Sequence, residues 1–331
     1  FCVILFYLRL ILLPNKLSID HGFPMKSGFF DGFTPFAFLI LAGIVFFGIW
    51  AARRDKLISF GILWFFIALS VESSLIPIRD AMFEQRVYLA FPGVCIFAAG
   101  IMAHFAENKA PAAISLAFLV LLAAGMATVS RTHAWETELS LWRDAVEKAP
   151  HNARAWNNYG NALVKQGRRE PAFEAYQMAI AANDGYAKAY CNLGRLYARK
   201  GALEKAEQLF EKSISIDGRI EEAHNNLGTI YASRGDFQKS IEHFEQALAI
   251  HRNQPVTQYN IARAYLEVDR PDKALEHLLL AIKIQPNINP RAYYLAGVAH
   301  ALLDNPRQAA QWIERAKSMG LERSLDDLRR D

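Results

Sequence analysis

Four segments of the chain repeat at intervals of 34 residues: WNNYGNA (156–162), YCNLGRL (190–196), HNNLGTI (224–230) and QYNIARA (258–264). Aligned in this way, they place an asparagine in one column, at Asn158, Asn192, Asn226 and Asn260. A period of 34 residues is typical of two helices joined by a turn. The stretch 153–288 is therefore predicted to form four helix-turn-helix units that stack on one another.

Further columns at the same spacing carry either small or large side chains. Small residues are expected where two helices approach closely, and large ones where neighbouring units fill a common core. The pattern resembles the tetratricopeptide repeat (TPR), and the resemblance implies an all-α fold, a right-handed superhelix of helix-turn-helix repeats. The columns are Leu163, Tyr197, Tyr231 and Tyr265; Ala172, Ala206, Ser240 and Ala274; Tyr176, Phe210, Phe244 and Leu278; and Ala179, Ser213, Ala247 and Ala281.

The array extends beyond these four units on both sides. A fifth unit, displaced by one residue, is predicted at 290–323, and a junction with half a repeat at 131–152. This number of units exceeds the roughly three that a stable stack needs. The predicted repeats are 153–186, 187–220, 221–254, 255–288 and 290–323, followed by a capping tail at 324–331.

Charge is distributed unevenly along the chain. Residues 1–130 contain nine of the 37 lysines and arginines and seven of the 33 aspartates and glutamates, and residues 131–331 contain the rest. Long apolar runs with few charges are typical of membrane helices. We predict a membrane part at 1–130 with a partial span at 1–13 and complete spans at 33–50, 57–71, 87–105 and 112–129.

The chain begins at Phe1 inside an apolar run, without an initiator methionine or the charged region of a signal peptide. This start predicts the C-terminal part of a longer membrane protein. Placing the arginine-rich turn at 51–56 in the cytoplasm puts the repeats on the opposite side of the membrane.

Several function classes are not favoured. The formal charge of +4 comes, in the repeat part, from interspersed charges of both signs, which gives no basic stripe for nucleic acid. The three cysteines, Cys2, Cys95 and Cys191, show neither a pairing framework nor metal-ligand spacing, and no histidine pair has that spacing with a carboxylate or thiol. We predict no metal, no cofactor and no nucleic-acid partner.

One polar segment adjoins the apolar runs, ESSLIPIRDAMFEQRVY at 72–88. Its charges would cost a few kcal/mol each in lipid, so they should face water, protein or a polar substrate. A helix that begins after Pro77 would place Arg79 and Arg86 on one face, an arrangement suited to a phosphate or pyrophosphate. Alternatively, the segment is an internal charge network that anchors an interfacial helix, with Tyr88 in the aromatic belt.

That segment, the early run YLRLILLPNKLSIDH (7–21) and the junction WETELSLWRDAVEKAP (135–150) together resemble one family. It is the family of membrane O-mannosyltransferase-like proteins known as transmembrane and TPR repeat-containing proteins, with their bacterial relatives. The resemblance implies a GT-C-type glycosyltransferase that uses a polyprenyl- or dolichyl-phosphate sugar. It also implies an integral membrane protein of the bacterial inner membrane or the endoplasmic reticulum, with the repeats on the periplasmic or lumenal side.

The resemblance has consequences for individual residues. It implies a catalytic carboxylate upstream of Phe1, so no catalytic residue is assigned within the chain, and the fragment alone is expected to be inactive. Arg79 and Arg86 become candidates to bind the donor phosphate, with Glu84 and Tyr88 as orienting groups. The alternative is a non-enzymatic, membrane-anchored TPR scaffold that recruits other proteins.

The asparagine column offers a second candidate site. In a TPR, the first helix of each pair lines the groove, and a primary amide both donates and accepts hydrogen bonds. A ladder of such amides can bind an extended polypeptide, or the amides can form hydrogen bonds with water and neighbouring helices instead. The predicted peptide-binding residues are Asn158, Asn192, Asn226 and Asn260, with Asn157, Asn225, Arg195 and Arg263 beside them.

Overall fold

The computed structural model describes residues 4–5, 8–9, 32–72, 91–104, 115, 119, 126 and 135–321. Within these ranges all regular secondary structure is helical, so the predicted all-α class is confirmed. The chain divides into two compact units, Phe1–Asn183 and Asp184–Asp331.

The described residues of the first unit include the apolar helices α1 (Thr34–Ala51), α2 (Lys56–Glu72) and α3 (Phe91–His104). Helix α1 has 18 residues and a mean hydropathy of 2.1, and it is long and apolar enough to cross a membrane, whereas the apolar parts of α2 and α3 are shorter. At about 1.5 Å per residue, α1 rises close to the roughly 30 Å of a hydrocarbon core. Asp55 caps α2, because its carboxylate accepts hydrogen bonds from the backbone N–H of Leu57 and Ile58.

These helices overlap the predicted spans at 33–50, 57–71 and 87–105. The partial span at 1–13 and the span at 112–129 fall largely outside the described residues. That any of these segments crosses a membrane stays a prediction.

Glycines bring α2 and α3 into close contact. A Cβ on Gly61 would lie 2.6 Å from the carbonyl oxygen of Gly93, and a Cβ on Gly93 would lie 2.6 Å from that of Gly61. Only a residue without a side chain fits at this crossing, and such small residues let helix backbones meet in apolar surroundings. Phe36 and Phe46 of α1 are 62% and 71% exposed. Apolar faces of this kind need lipid or another protein segment to cover them.

A polar turn precedes the helices of the repeat part. Thr137 caps α4 (Glu138–Lys148): its hydroxyl accepts from the backbone N–H of Ser140, and the Ser140 hydroxyl accepts from the backbone N–H of Thr137. Helix pairs follow, and in each repeat we refer to a first and a second helix. They are α5 (Ala153–Lys165) and α6 (Arg169–Ala182) in the first unit, then in the second unit α7 (Ala187–Arg199), α8 (Leu203–Ile216), α9 (Glu221–Ser233), α10 (Phe237–Ile250), α11 (Pro255–Glu267), α12 (Pro271–Ile284), α13 (Pro290–Leu302) and α14 (Pro306–Ser318).

The turn inside each repeat requires a left-handed backbone. Gly167, Gly201 and Gly235 stand 34 residues apart between the two helices of their repeats, with φ between 75° and 79°. Glycine adopts this conformation at no steric cost. Asp269 occupies the equivalent turn of the next repeat with φ 55°, a region that aspartate tolerates better than most residues.

The small and large columns meet inside each repeat. A Cβ on Gly194 would lie 2.9 Å from the ring of Phe210, and a Cβ on Gly228 would lie 2.7 Å from that of Phe244. Both rings are fully buried. The absence of a side chain on the first helix thus makes room for the aromatic ring of the second, which is the packing that the sequence columns predict.

Candidate peptide-binding surface

The first helices of the second unit carry a row of amides. Helices α7, α9 and α11 contact one another in succession, and they hold Asn192, Asn226 and Asn260 at equivalent, half-buried positions. Asn158 takes the same position on α5 of the first unit and is also half-buried. The predicted ladder residues of the second unit therefore lie on successive first helices.

The three amides of the second unit differ in their hydrogen bonds. The Oδ1 atom of Asn192 accepts from the guanidinium of Arg195 at 3.2 Å, and the Nδ2 group of Asn226 donates to the carbonyl oxygen of Glu222 at 2.6 Å. Asn260 forms no hydrogen bond with the described residues. Asn226 keeps its acceptor for a ligand, and Asn260 keeps both its donor and its acceptor.

The other two predicted amides are engaged inside the fold. Asn157 is only 3% exposed, and its Nδ2 group donates to Asn158 at 3.4 Å. The Oδ1 atom of Asn225 accepts from the hydroxyl of Thr257 at 3.1 Å, which joins α9 to α11. The structure thus places Asn157 in the interior, whereas Asn225 uses its acceptor between repeats and keeps its donor group.

The two predicted arginines are one turn beyond the ladder. Arg195 is half-buried and holds Asn192, as described above. Arg263 is exposed, and its guanidinium carbon lies 5.9 Å from the ring centroid of Tyr259, within the range of a cation–π contact. No carboxylate of the described residues forms an ion pair with Arg263, so its charge is available at the surface.

A cavity of about 190 Å³ opens beside Asn260 and Arg263, between α9, α10 and α11. Aromatic and small apolar side chains form part of its wall, and polar groups stand among them. The lining residues are Thr229, Ala232, Ser233, Phe237, Phe244, Asn260, Arg263, Ala264 and Glu267.

The sequence predicted Asn260 and Arg263 but not the apolar part of this cavity. The column of Ala264 varies along the array, with Ala162, Leu196 and Ile230 at the equivalent positions of the preceding repeats, and all four residues are buried. The column therefore carries no signal that marks the cavity.

Cys191 adjoins the row of amides but is buried. Burial, reinforced by the charge of Glu222, raises the pKa of its thiol to about 12. The group stays protonated at neutral pH, so it supplies no thiolate for nucleophilic or metal chemistry.

The four predicted donor-phosphate residues, Arg79, Glu84, Arg86 and Tyr88, fall outside the described residues. Their role stays a prediction.

The stacked helix pairs, with their glycine-aromatic packing, define a TPR solenoid. Family models described as tetratricopeptide repeat match residues 187–219, residues 219–287, and residues 139–187 together with 259–320. These matches run from 139 to 320, more than half of the chain. The chain belongs to the tetratricopeptide repeat family.

The chain is also similar to protein O-mannosyl-transferases, as the sequence predicts. It is 33% identical to mouse protein O-mannosyl-transferase TMTC1 over 101 residues, which are 29% of this chain and 11% of that protein. It is 28% identical to the Drosophila melanogaster protein O-mannosyl-transferase Tmtc3 over 191 residues, 52% of this chain and 20% of that protein. The chain therefore spans between a tenth and a fifth of the length of these relatives.

Among solved structures, pilF from Pseudomonas aeruginosa aligns with a TM-score of 0.51 at 20% identity. The alignment covers 60% of this chain and 89% of that one. A likeness at this level of identity shows the fold alone.

Proposed function

We propose that the chain is part of a membrane glycosyltransferase of the protein O-mannosyl-transferase kind, and that its repeats bind the acceptor or partner polypeptide. The observation that carries the proposal is the row of amides on successive first helices, in a chain similar to protein O-mannosyl-transferases. A donor sugar linked to a polyprenyl or dolichyl phosphate, with Arg79 and Arg86 at its phosphate, is part of the same proposal. So is a periplasmic or lumenal location of the repeats, with α1 in the membrane.

The chemistry of the amides supports a polypeptide as ligand. Each residue of an extended chain presents one N–H and one C=O, and a primary amide can pair with both. Asn226 and Asn260 retain part or all of that capacity. Such contacts depend on the backbone, so the surface would accept many sequences.

Capture of unfolded polypeptide tests this proposal. We expect the double variant Asn192→Ala/Asn226→Ala, in the full chain in lipid nanodiscs, to bind a reduced, unfolded acceptor protein at least about tenfold more weakly, since one or two lost hydrogen bonds account for that factor. Fluorescence anisotropy of the labelled acceptor measures the affinity.

The matched control removes two exposed amides from second helices, Gln208→Ala/Gln246→Ala. It should bind like the wild type. Equal affinity of the wild type and the Asn192→Ala/Asn226→Ala variant would refute the role of the amides.

The second candidate is a TPR scaffold without enzymatic activity, which the described polar surface would serve equally well. A transfer assay distinguishes the enzyme from the scaffold. It measures the transfer of labelled sugar from a polyprenyl-phosphate donor to protein by membranes that contain the full-length protein. Transfer that the Arg79→Ala/Arg86→Ala variant loses while its repeats stay folded favours the enzyme, and no transfer with intact polypeptide capture favours the scaffold.

A further inference from the structure

Ala264 and Phe244 take part in the wall of the cavity between α9, α10 and α11. Their equivalents at the preceding repeat junction, Ile230 and Phe210, pack in one core cluster, as Ala264 and Phe244 also do. The half-buried apolar residues of the cavity wall are Phe237 and Ala232.

The size and lining of the cavity limit what can occupy it. A volume of about 190 Å³ is below the roughly 300–1,000 Å³ typical of pockets for drug-sized ligands, so one side chain fits better than a cofactor or a sugar. The rings of Phe237 and Phe244 and the methyl groups of Ala232 and Ala264 favour an apolar side chain.

The rim indicates how that side chain would be presented. Asn260 lies in the wall with its amide unused by the described residues, so it can bond to the backbone on either side of an inserted side chain. Arg263 lies beside it, exposed, without an ionic partner among those residues, and it favours a carboxylate next to the anchor. Glu267 carries the opposite charge one turn further along α11, so the carboxylate is expected on the Arg263 side.

We infer that this cavity is a specificity pocket for a polypeptide segment in which a leucine-sized apolar residue is followed by an acidic one. The inference rests on the proposed function, because it names the side chains that the amide-lined surface selects. The apolar residue enters beside Phe237, its backbone bonds to Asn260, and its acidic neighbour pairs with Arg263.

The test uses the full chain in nanodiscs and labelled peptides that contain a fixed Leu-Asp pair with randomised flanks. We expect Ala264→Leu, which restores the residue type of Leu196, to weaken binding at least about tenfold while the thermal unfolding temperature stays equal or rises. Replacing leucine by alanine in the peptide should weaken binding by the same factor, and the two changes together should cost no more than either one.

The charge contact has its own test. Arg263→Gln should weaken binding of the Leu-Asp peptides but not of peptides with lysine in place of aspartate.

Several outcomes would overturn the pocket. One is unchanged affinity of a folded Ala264→Leu variant. Should that variant fail to fold, equal affinity of the wild type for the leucine and alanine peptides would overturn the pocket by itself. If Asn192→Ala/Asn226→Ala loses binding but Ala264→Leu binds like the wild type, the pocket is refuted and the proposed function stays intact. If the wild type binds neither the peptides nor the unfolded acceptor, both are refuted.

Discussion

Two junctions between neighbouring repeats show how one backbone accommodates different chemistry. At the first junction, between α8 and α9, Glu207 accepts from the guanidinium of Arg234 at 2.6 Å and from the hydroxyl of Tyr231 at 2.8 Å. At the second junction, between α10 and α11, the residues equivalent to Glu207 and Arg234 are Ile241 and Val268, which pack in one apolar cluster. An ion pair and an apolar pair thus occupy the same place in successive repeats.

The same two junctions differ in how completely they are filled. Ile230 is buried in one cluster with Phe210 at the first junction, and the smaller Ala264 lines a cavity with Phe244 at the second. A polar clamp closes the first junction, whereas the second combines the apolar pair and the cavity with a hydrogen bond of 2.8 Å from the Tyr265 hydroxyl to Glu245. We infer that the first serves stability and that the second, as proposed above, serves recognition.

The largest effect is expected from opening the first junction. Ile230→Ala should leave a cavity beside Phe210 and cost about 2–5 kcal/mol, because a buried isoleucine is lost and the space refills only in part. Hydrogen exchange of the α8 and α9 amides, followed by mass spectrometry, measures this locally.

Ala264→Leu provides the reciprocal comparison, since it fills the second junction and should slow exchange or leave it unchanged. Exchange in Ile230→Ala equal to that of the wild type would show that the column does not determine packing.

A smaller effect is expected from exchanging the polar clamp for its apolar equivalent. Glu207→Ile alone leaves Arg234 and the Tyr231 hydroxyl without their shared acceptor, so exchange at α8 and α9 should become roughly two- to fivefold faster, as for a partly exposed ion pair. The double variant Glu207→Ile/Arg234→Val should recover the wild-type rate. A double variant no better than the single one would mean that the two junctions are not interchangeable.

This clamp also predicts a pH dependence. Desolvation of Glu207 would raise its pKa, but the hydrogen bonds from Arg234 and Tyr231 lower it below its usual value. Because the folded-state pKa is depressed, the contribution to stability is present above the unfolded-state pKa of about 4.3 and is lost as the pH falls through the folded value. Glu207→Ile should abolish this acid-dependent contribution to stability, which hydrogen exchange of α8 and α9 as a function of pH would measure.

The sequence predicted the repeats well because their columns encode packing directly. Gly194 and Phe210 recur as Gly228 and Phe244, and each pair forms the contact that the columns indicate. The asparagine column likewise placed Asn192, Asn226 and Asn260 on equivalent first helices.

The site was predicted less completely, because a column gives the position of a residue on its own helix but not what a neighbouring helix does there. Asn225 bonds to Thr257 of the next first helix, and Asn157 is buried. The cavity lies among side chains of three helices, and no single column encodes it.

The smallest effect is expected from a histidine pair that distinguishes the third repeat from the fourth. The Nδ1 atoms of His224 and His243 lie 3.3 Å apart, whereas the equivalent Gln258 and His277 are joined through Oε1 and Nδ1 at 2.5 Å. One imidazole of the first pair must donate and the other accept, an arrangement that protonation of both removes. The carbonyl oxygen of Gln258, in contrast, still accepts from a protonated His277.

The direction of the pH effect follows from the surroundings of these rings. Burial lowers the pKa of His224, and a backbone hydrogen bond with Gly218 opposes this shift in part. Burial and the charge of His224 lower the pKa of His243, and the charges of Glu242 and Glu207 oppose that shift. Burial lowers the pKa of His277 as well. A histidine with a depressed folded-state pKa contributes stability above its unfolded value of about 6.5, and that contribution is lost as the pH falls through the folded value.

We therefore expect α9 and α10 to lose more protection than α11 and α12 when the pH falls from about 7 to about 5, after correction for intrinsic exchange rates. Reciprocal variants decide whether the histidine pair is the cause. His224→Gln gives the third repeat the arrangement of the fourth and should remove the excess sensitivity, and Gln258→His should transfer that sensitivity to the fourth. If the difference persists in His224→Gln, the histidine pair is not its cause.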